Sequence, residues 1–453
     1  MSFTGYPEYK DSGVEWLGAV PVHWQVQPLK RQCNVMPSNV DKKSVEGERT
    51  VLLCNYTDVY YHSEIVQGMC FMKATASEGQ IEKFSLQKGD VIFTKDSESS
   101  DDIAIAAHVP ETLPGVVCGY HLSIVRPHFS IFGQFLKHYF DSASAKFYFN
   151  ISANGLTRVG LGQYASDNLP IPLPPLEEQG RIAAFLDHET ARIDALIAEQ
   201  QRLIKLLKEK RQAVISHAVT KGLDPDAPMK DSGVEWLGDV PAHWEVKPLK
   251  RAINSVESGT SVNAADVPAA QGELGVLKTS CVYKGWFDWR ENKTVNREDL
   301  GRVSCPVREN TLIVSRMNTP DLVGSAGLVL DAPAGIYLPD RLWQVSLEEM
   351  YSSKYYYFFT RTPAYRDQVK IACAGTSSSM QNLGQDEFGA IWHPSPSLGE
   401  QAAIATFLDH ETTRVDALIA QGRLAIELLQ ERRSALISAA VTGKIDVRGW
   451  QAE

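Results

Sequence analysis

No Cys-x-x-Cys pair occurs in this chain, and its seven cysteines (33, 54, 70, 118, 281, 305 and 373) are scattered and odd in number. That pattern argues against structural zinc and against a disulfide framework, and it points to a reducing cytoplasm. No run of about 18 apolar residues is present, nor a basic-then-apolar leader, so neither a membrane span nor a signal peptide is expected. A Gly-x-x-x-x-Gly-Lys-Ser/Thr phosphate loop is missing, which argues against an ATP-driven motor. The polar–Pro–Pro–aromatic loop of an amino-methyltransferase is missing too; the one Pro-Pro lies within Leu173-Pro-Pro-Leu176. Gly160 and Gly162 lack the strand–turn–helix context of a nucleotide site. Glu291-Asn292-Lys293 has the acid-x-lysine form of many metal-dependent nucleases, with Asp266 as the only loose upstream acid; a tripeptide this short arises by chance. His121 and His128 have no further ligand cluster around them. No catalytic residue, metal site or cofactor site is therefore expected in this chain.

What is present is ordinary in bulk and unusual in arrangement. The 453 residues, 43% hydrophobic and 22% charged, are those of a globular protein of two or three domains. The net charge of −10 argues against nucleic-acid binding by the chain as a whole, so any such role rests on local charge. Lys278–Arg316 carries eight Lys/Arg against five Asp/Glu, and Tyr120–Ala165 four against one, with aromatics interleaved in both. Phosphates favour such stretches, and a solvated face over a buried aromatic core would look the same.

The chain is one unit written twice. KDSGVEWLGAVPVHWQVQPLKR at Lys10–Arg31 returns as KDSGVEWLGDVPAHWEVKPLKR at Lys230–Arg251, offset by 220 and differing at positions 19, 22, 25 and 27. Trp16, Trp24, Trp236 and Trp244 in these stretches are expected to be packing anchors. Ile182, Leu186, Ile193, Ile197, Ile204, Leu207, Val214 and Ala218 follow gaps of 4, 7, 4, 7, 3, 7 and 4, the stripe of a long amphipathic helix over Leu176–Thr220. The same gaps recur 222 residues later over Leu398–Thr442, from Ile404 to Ala440. Neither stretch has an internal proline. Some 40 helical residues make a rod of roughly 60 Å, and a rod with one apolar stripe needs a partner, for which the other copy is the obvious choice. Leu196/Ile197, Leu203/Ile204 and Leu418/Ile419 are side-by-side apolar pairs that make the stripe wider than a two-helix seam. These six residues are candidates for binding partner helices.

Between the matched ends the copies diverge. At the offset of 220, the apolar run Val91–Thr94 aligns with Thr311–Val314, and His121–Val125 with Arg341–Val345; Gly155 aligns with Gly375, and Leu161–Gln163 with Leu383–Gln385 two residues later. Short β-rich runs mixed with helix-like aromatic segments give an α+β class. After the matched strands come unlike polar loops, Lys95–Asp102 and Ser315–Leu322. A shared scaffold with different loops at equivalent strand ends looks like one device reading two targets; neutral drift is the plainer alternative.

WLGAVPVHWQVQPLKR and its copy, with LPPLEEQGRIAAFLDHETARIDALI at Leu173–Ile197, closely resemble the specificity subunits of type I restriction–modification systems. The resemblance spans essentially the whole chain. Its second helix entry departs from the pattern: HPSPSLGEQ stands where the first copy has PLPPLEEQ. The resemblance implies two α/β target-recognition domains (1–172 and 223–394), each reading one half of a bipartite double-stranded DNA site. Two long α-helical spacers (173–222 and 395–453) would join them as an antiparallel coiled coil with a pseudo-twofold internal repeat. It also implies a non-catalytic, cytoplasmic DNA-recognition subunit working with two modification (methyltransferase) subunits and with restriction (translocase and nuclease) subunits. S-adenosylmethionine, Mg and ATP would reside on those partners. Within that frame, Lys95, Ser97, Ser99, His121, Asn154, Thr157 and Arg158 are candidates for one half-site. Arg316, Asn318, Thr319, Arg341, Thr376 and Ser377 are candidates for the other. Two other readings stay open: a cytoplasmic coiled-coil adaptor for proteins, which salt-sensitive binding to bipartite DNA would exclude, and a specificity chain serving another DNA modification enzyme.

Overall fold

The computed structural model describes residues 4–373 and 380–451. The chain forms two compact units: Met1–Gln201 with Arg423–Glu453, and Arg202–Gly422. Each is a mixture of helix and sheet. Two helices stand out by length, Leu176–Lys221 and Leu398–Val441, of 46 and 44 residues. The first follows Pro174-Pro175. The second starts at a capping box in which Ser397 Oγ accepts from the Glu400 amide at 3.3 Å and Glu400 Oε2 accepts from the Ser397 amide at 3.1 Å. Apolar spacing then carries each helix onward, burying Ile182, Leu186 and Ile193 in the first unit and Ile404, Leu408, Val415 and Ile419 in the second.

Both units contain the same four-stranded antiparallel sheet. In the first, Cys33–Pro37, Leu122–Pro127, Val91–Thr94 and Ala106–His108 lie in that spatial order. In the second the order is Ile253–Ser258, Leu342–Leu347, Leu312–Ser315 and Ala326–Leu328. The central strands are buried on both faces, since Val91, Ile92 and Phe93, like Leu312, Ile313 and Val314, are almost wholly enclosed. The helices Gly133–Asp141 and Ala143–Ser152 cover one side, Phe93 meeting Phe140 and Phe149 with ring centroids 5.4 and 6.0 Å apart. The helices Ser353–Phe359 and Pro363–Ala372 supply Tyr355, Tyr356, Phe359 and Tyr365 to the second core.

The strand pairing corrects the alignment of the copies by one residue. Leu122 faces Thr94 in the first sheet, and Leu342 faces Ser315 in the second. Val91–Thr94 is therefore equivalent to Leu312–Ser315, not to Thr311–Val314, while the pairing of His121–Val125 with Arg341–Val345 stands. A one-residue slip turns every side chain of a strand to the opposite face, so the ladder decides where two apolar runs do not. The anchor reading of the tryptophans also divides. Trp24 and Trp244 are buried, whereas Trp16 and Trp236 remain 37% and 39% exposed.

The corrected frame places Ala104 opposite Gly324. Ala104 N donates to Thr94 O at 3.0 Å, and Gly324 N to Ser315 O at 2.7 Å. Both residues adopt positive φ, +59° at Ala104 and +73° at Gly324. A Cβ in this region costs roughly 1–2 kcal/mol, partly offset because glycine loses more chain entropy on folding. Ala104→Gly is expected to stabilise the chain by roughly 0.5–1 kcal/mol in a urea titration; a loss of stability would show that the alanine methyl packs better than its backbone is strained.

Candidate nucleic-acid interface

The polar residues singled out in the first copy meet where its central strands end. Lys95 N donates to His121 O at 3.0 Å, and Leu161 N donates to Lys95 O at 2.8 Å. Asp96–Ser97 pair with Val159–Gly160, and Asn154 and Gly160 exchange backbone bonds of 3.1 and 2.9 Å. Lys95, His121 and the loop Asn154–Arg158 are thus tied into one cluster although they are up to 63 residues apart in the chain. His121 has φ +72°, and its Nδ1 lies 2.6 Å from Asp96 Oδ2. Lys95 Nζ sits 4.9 Å from the Tyr120 ring centre. Beside them a cavity of about 290 Å³ is lined by Asn55, Tyr56, Tyr120 and His121 among others. Asn154, Thr157, Arg158 and Ser99 are exposed; Ser99 Oγ accepts from the Asp101 amide at 3.3 Å. Ser97 is buried, so its side chain lies inside the strand end rather than facing outward.

The second unit repeats the same backbone arrangement with different side chains. Arg316 N donates to Arg341 O at 3.1 Å, and Leu383 N donates to Arg316 O at 2.8 Å. Met317–Asn318 pair with Gln381–Asn382. Arg316 thus stands where Lys95 stands, and Arg341 where His121 stands. Arg316 Nε donates to Asp340 O at 2.8 Å, which fixes the guanidinium, and among the described residues its terminal nitrogens have no hydrogen-bond partner. Arg341 and Thr319 are exposed. Asn318 is buried, its Nδ2 donating to Tyr283 Oη at 2.6 Å and to Ser315 Oγ at 3.1 Å, and its Oδ1 accepting from Thr319 N at 2.9 Å. With the amide so engaged, Asn318 holds the strand end together instead of offering an edge to a base. Thr376 and Ser377 lie outside the described residues.

The six apolar residues of the long helices divide in the same way. Leu196, Leu203 and Leu418 are 53%, 45% and 43% exposed, while Ile204 and Ile419 are buried and Ile197 packs on the first core. The isoleucines are therefore largely covered, and of the six only the leucines present free surface. Of the acid-x-lysine triplet, Glu291 accepts from Ser280 at 2.8 Å, and Asp266 pairs with Lys278 and Lys293 at 2.7 and 3.5 Å. Among the described residues no group of three or more His, Cys, Asp or Glu is arranged to hold a metal. Among the described residues no helix is long and apolar enough to cross a membrane.

Sequence reasoning missed the Glu-Gln pair that opens each long helix. Glu178 accepts from Trp24 Nε1 at 3.0 Å and meets His23 Nε2 at 2.9 Å, with Tyr6 donating to it as well. In the second copy Glu400 meets Trp244 Nε1 at 3.0 Å and His243 Nε2 at 2.7 Å. Burial pushes the Glu400 carboxyl up, but the bonds from His243, Trp244 and Ser397 outweigh it and hold the pKa at about 2. Stability from this group is present above the ordinary carboxylate pKa and lost as pH falls towards 2. Gln179 bridges Phe132 N at 2.8 Å and Pro174 O at 2.9 Å, and Gln401 does the same for Ser352 N and Pro396 O. The signal was there: Glu-Gln survives in both copies while the residue before it changes from Glu177 to Gly399.

Residues 21–206 match the family described as type I restriction modification DNA specificity domain. The specificity subunit of the type I restriction enzyme EcoKI from Escherichia coli (strain K12) is 23% identical over 371 residues, spanning 80% of this chain and 76% of that protein. A Methanocaldococcus jannaschii protein named as the MjaX type I restriction enzyme specificity subunit is 24% identical over 452 residues, 95% of this chain and 96% of that one. In fold, the chain matches one from a study of complex assembly and conformational transition of a type I system, with TM-score 0.71 and 18% identity over 94% of this chain and 99% of that chain. It also matches the HsdS subunit from Thermoanaerobacter tengcongensis, with TM-score 0.55 and 17% identity over 94% and 98%. Taken with the duplicated scaffold, these matches show a chain whose residues 21–206 are similar to the type I restriction modification DNA specificity domain and whose sequence and fold over most of its length are similar to those of type I specificity subunits.

Proposed function

We propose that each unit reads one half of a bipartite double-stranded DNA site through the cluster at the end of its central strands. One observation carries this: an identical set of backbone bonds mounts Lys95 and His121 in one unit and Arg316 and Arg341 in the other. A common mount with unlike side chains suits two half-sites of different sequence. Arg316 is the strongest base reader, because a fixed guanidinium whose terminal nitrogens have no partner among the described residues matches the O6/N7 edge of guanine. Arg341, His121, Lys95 and the exposed Thr319, Asn154, Thr157, Arg158 and Ser99 supply further base or phosphate contacts.

In this reading the long helices form an antiparallel coiled coil that sets the gap between half-sites. Within the first unit Asp194 pairs with Arg433 at 2.8 Å, and Arg181, earlier on the first helix, reaches the Arg448 carbonyl later in the chain. Within the second unit Arg211 pairs with Asp416 at 3.1 Å, and Ile215 and Ala218 share a core with Ile404 and Leu408. Both orders are reversed, as antiparallel pairing requires. Leu196, Leu203 and Leu418 then face outward to dock two modification subunits, with restriction subunits joining the complex. The chain itself is non-catalytic and cytoplasmic; S-adenosylmethionine, Mg and ATP are needs of its partners.

The test is Arg316→Ala in the assembled complex, with methylated sites sequenced across a genome. Loss of a bidentate contact is expected to cost roughly 1–3 kcal/mol and to relax one position of one half-site only. Equal weakening on all sequences would make Arg316 a phosphate contact.

A further inference from the structure

At the tip of a tight loop in the first unit stands a leucine that projects wholly into solvent. The paired backbone bonds of Asn154 and Gly160 close a five-residue loop, Gly155–Val159. Gly155 has φ +145°, and a Cβ there would lie 1.8 Å from the Arg158 carbonyl oxygen, so glycine alone closes it. At its base, a Cβ on Gly160 would come within 2.9 Å of Asp96 Oδ1. The loop is thus built directly onto the cluster that holds Lys95 and His121. Leu156 at its tip is 105% exposed, followed by the exposed Thr157 and Arg158.

An isolated exposed leucine is ordinary. Its mounting is not: the Asn154–Gly160 bond pair pins a loop that only glycine can close, Arg158 follows two residues on, and the strand end behind it is the proposed DNA-reading surface. Apolar side chains in such a setting enter a base step, unstack it in part and kink the duplex, while neighbouring cations hold the phosphates. Here Lys95 and Arg158 are the cations available. The rigid loop lowers the ordering cost of insertion. We infer that Leu156 is a wedge that enters one base step of the half-site read by the first unit, an inference that rests on the DNA-reading function proposed above. The step entered should be a flexible pyrimidine–purine step, which unstacks at least cost.

The experiment uses the full chain assembled with its modification subunits, and duplexes carrying 2-aminopurine at successive positions of the methylated site. The wild-type complex should raise fluorescence at one step in the first half-site. Leu156→Ala should abolish that rise and weaken binding about tenfold, while Leu156→Met keeps both. Melting of the chain should be unchanged in Leu156→Ala, because the side chain is outside the core. If wild-type binds its bipartite site specifically but Leu156→Ala keeps the same fluorescence and affinity, the wedge is wrong and the reading function stands. If wild-type does not prefer its site over scrambled DNA, both fall.

Discussion

Replacing Trp24 by alanine should destabilise the chain by about 3–5 kcal/mol, the cost of emptying a large aromatic site in a packed core. Trp24 is fully enclosed among Tyr6, Leu17, Val20 and the second helix's Ala440 and Val441, within one continuous cluster. Its indole N–H also donates to Glu178, itself buried. The loss therefore has two parts, and Trp24→Phe separates them. Phenylalanine fills most of the volume but leaves the carboxylate one donor short, at roughly 1–3 kcal/mol. Urea unfolding of the full chain followed by circular dichroism gives both values. Equal stability of Trp24→Ala and Trp24→Phe would mean that ring volume matters little and the hydrogen bond is everything.

The second large effect is on the spacing of the DNA site. Inserting one heptad after Gln200 and another after Gly422 keeps the apolar phase of both helices while lengthening each by roughly 10 Å. At roughly 3.4 Å per base pair that is about three pairs. Tilt of the helices relative to the DNA reduces it, so the gap between half-sites should grow by about one to three pairs, with both half-site sequences unchanged. Methylation at the original sites should vanish and reappear at the longer spacing. An active variant that keeps the original gap would mean that something other than these helices sets it.

The helices were legible in the sequence because their signal is redundant: eight apolar positions repeat with identical gaps in two copies. That the singled-out polar residues meet at the end of the central strands was legible for a different reason, since polar loops diverge after strands that do not. What each side chain does there was not legible. Asn318 and Ser97 have the residue types of base readers, yet both are buried; residue type carries no information on burial when the pairing strand comes from far along the chain. The paired isoleucines and leucines looked equivalent on a helical wheel, and only packing separated Ile419 from Leu418. The one-residue slip between Val91–Thr94 and its counterpart leaves a single identical pair, Ile92 and Ile313, too little to fix the frame of two apolar runs, and it took the ladder to find it.

The division of the chain into units has a consequence for its synthesis. The second unit, Arg202–Gly422, is continuous, but the first is completed only by Arg423 and the residues after it. Leu436, Ile437, Ala440, Val441, Ile445 and Val447 belong to the same core as Tyr6, Trp24 and Ile182. On the ribosome, then, the unit whose residues emerge first is the last to close. Domains generally fold as units in order of emergence; here the later unit has all its residues available while the earlier one still waits with an open apolar face. A chain interrupted before Leu436 leaves that face uncovered, so a truncated product would be marked by its own unfinished core.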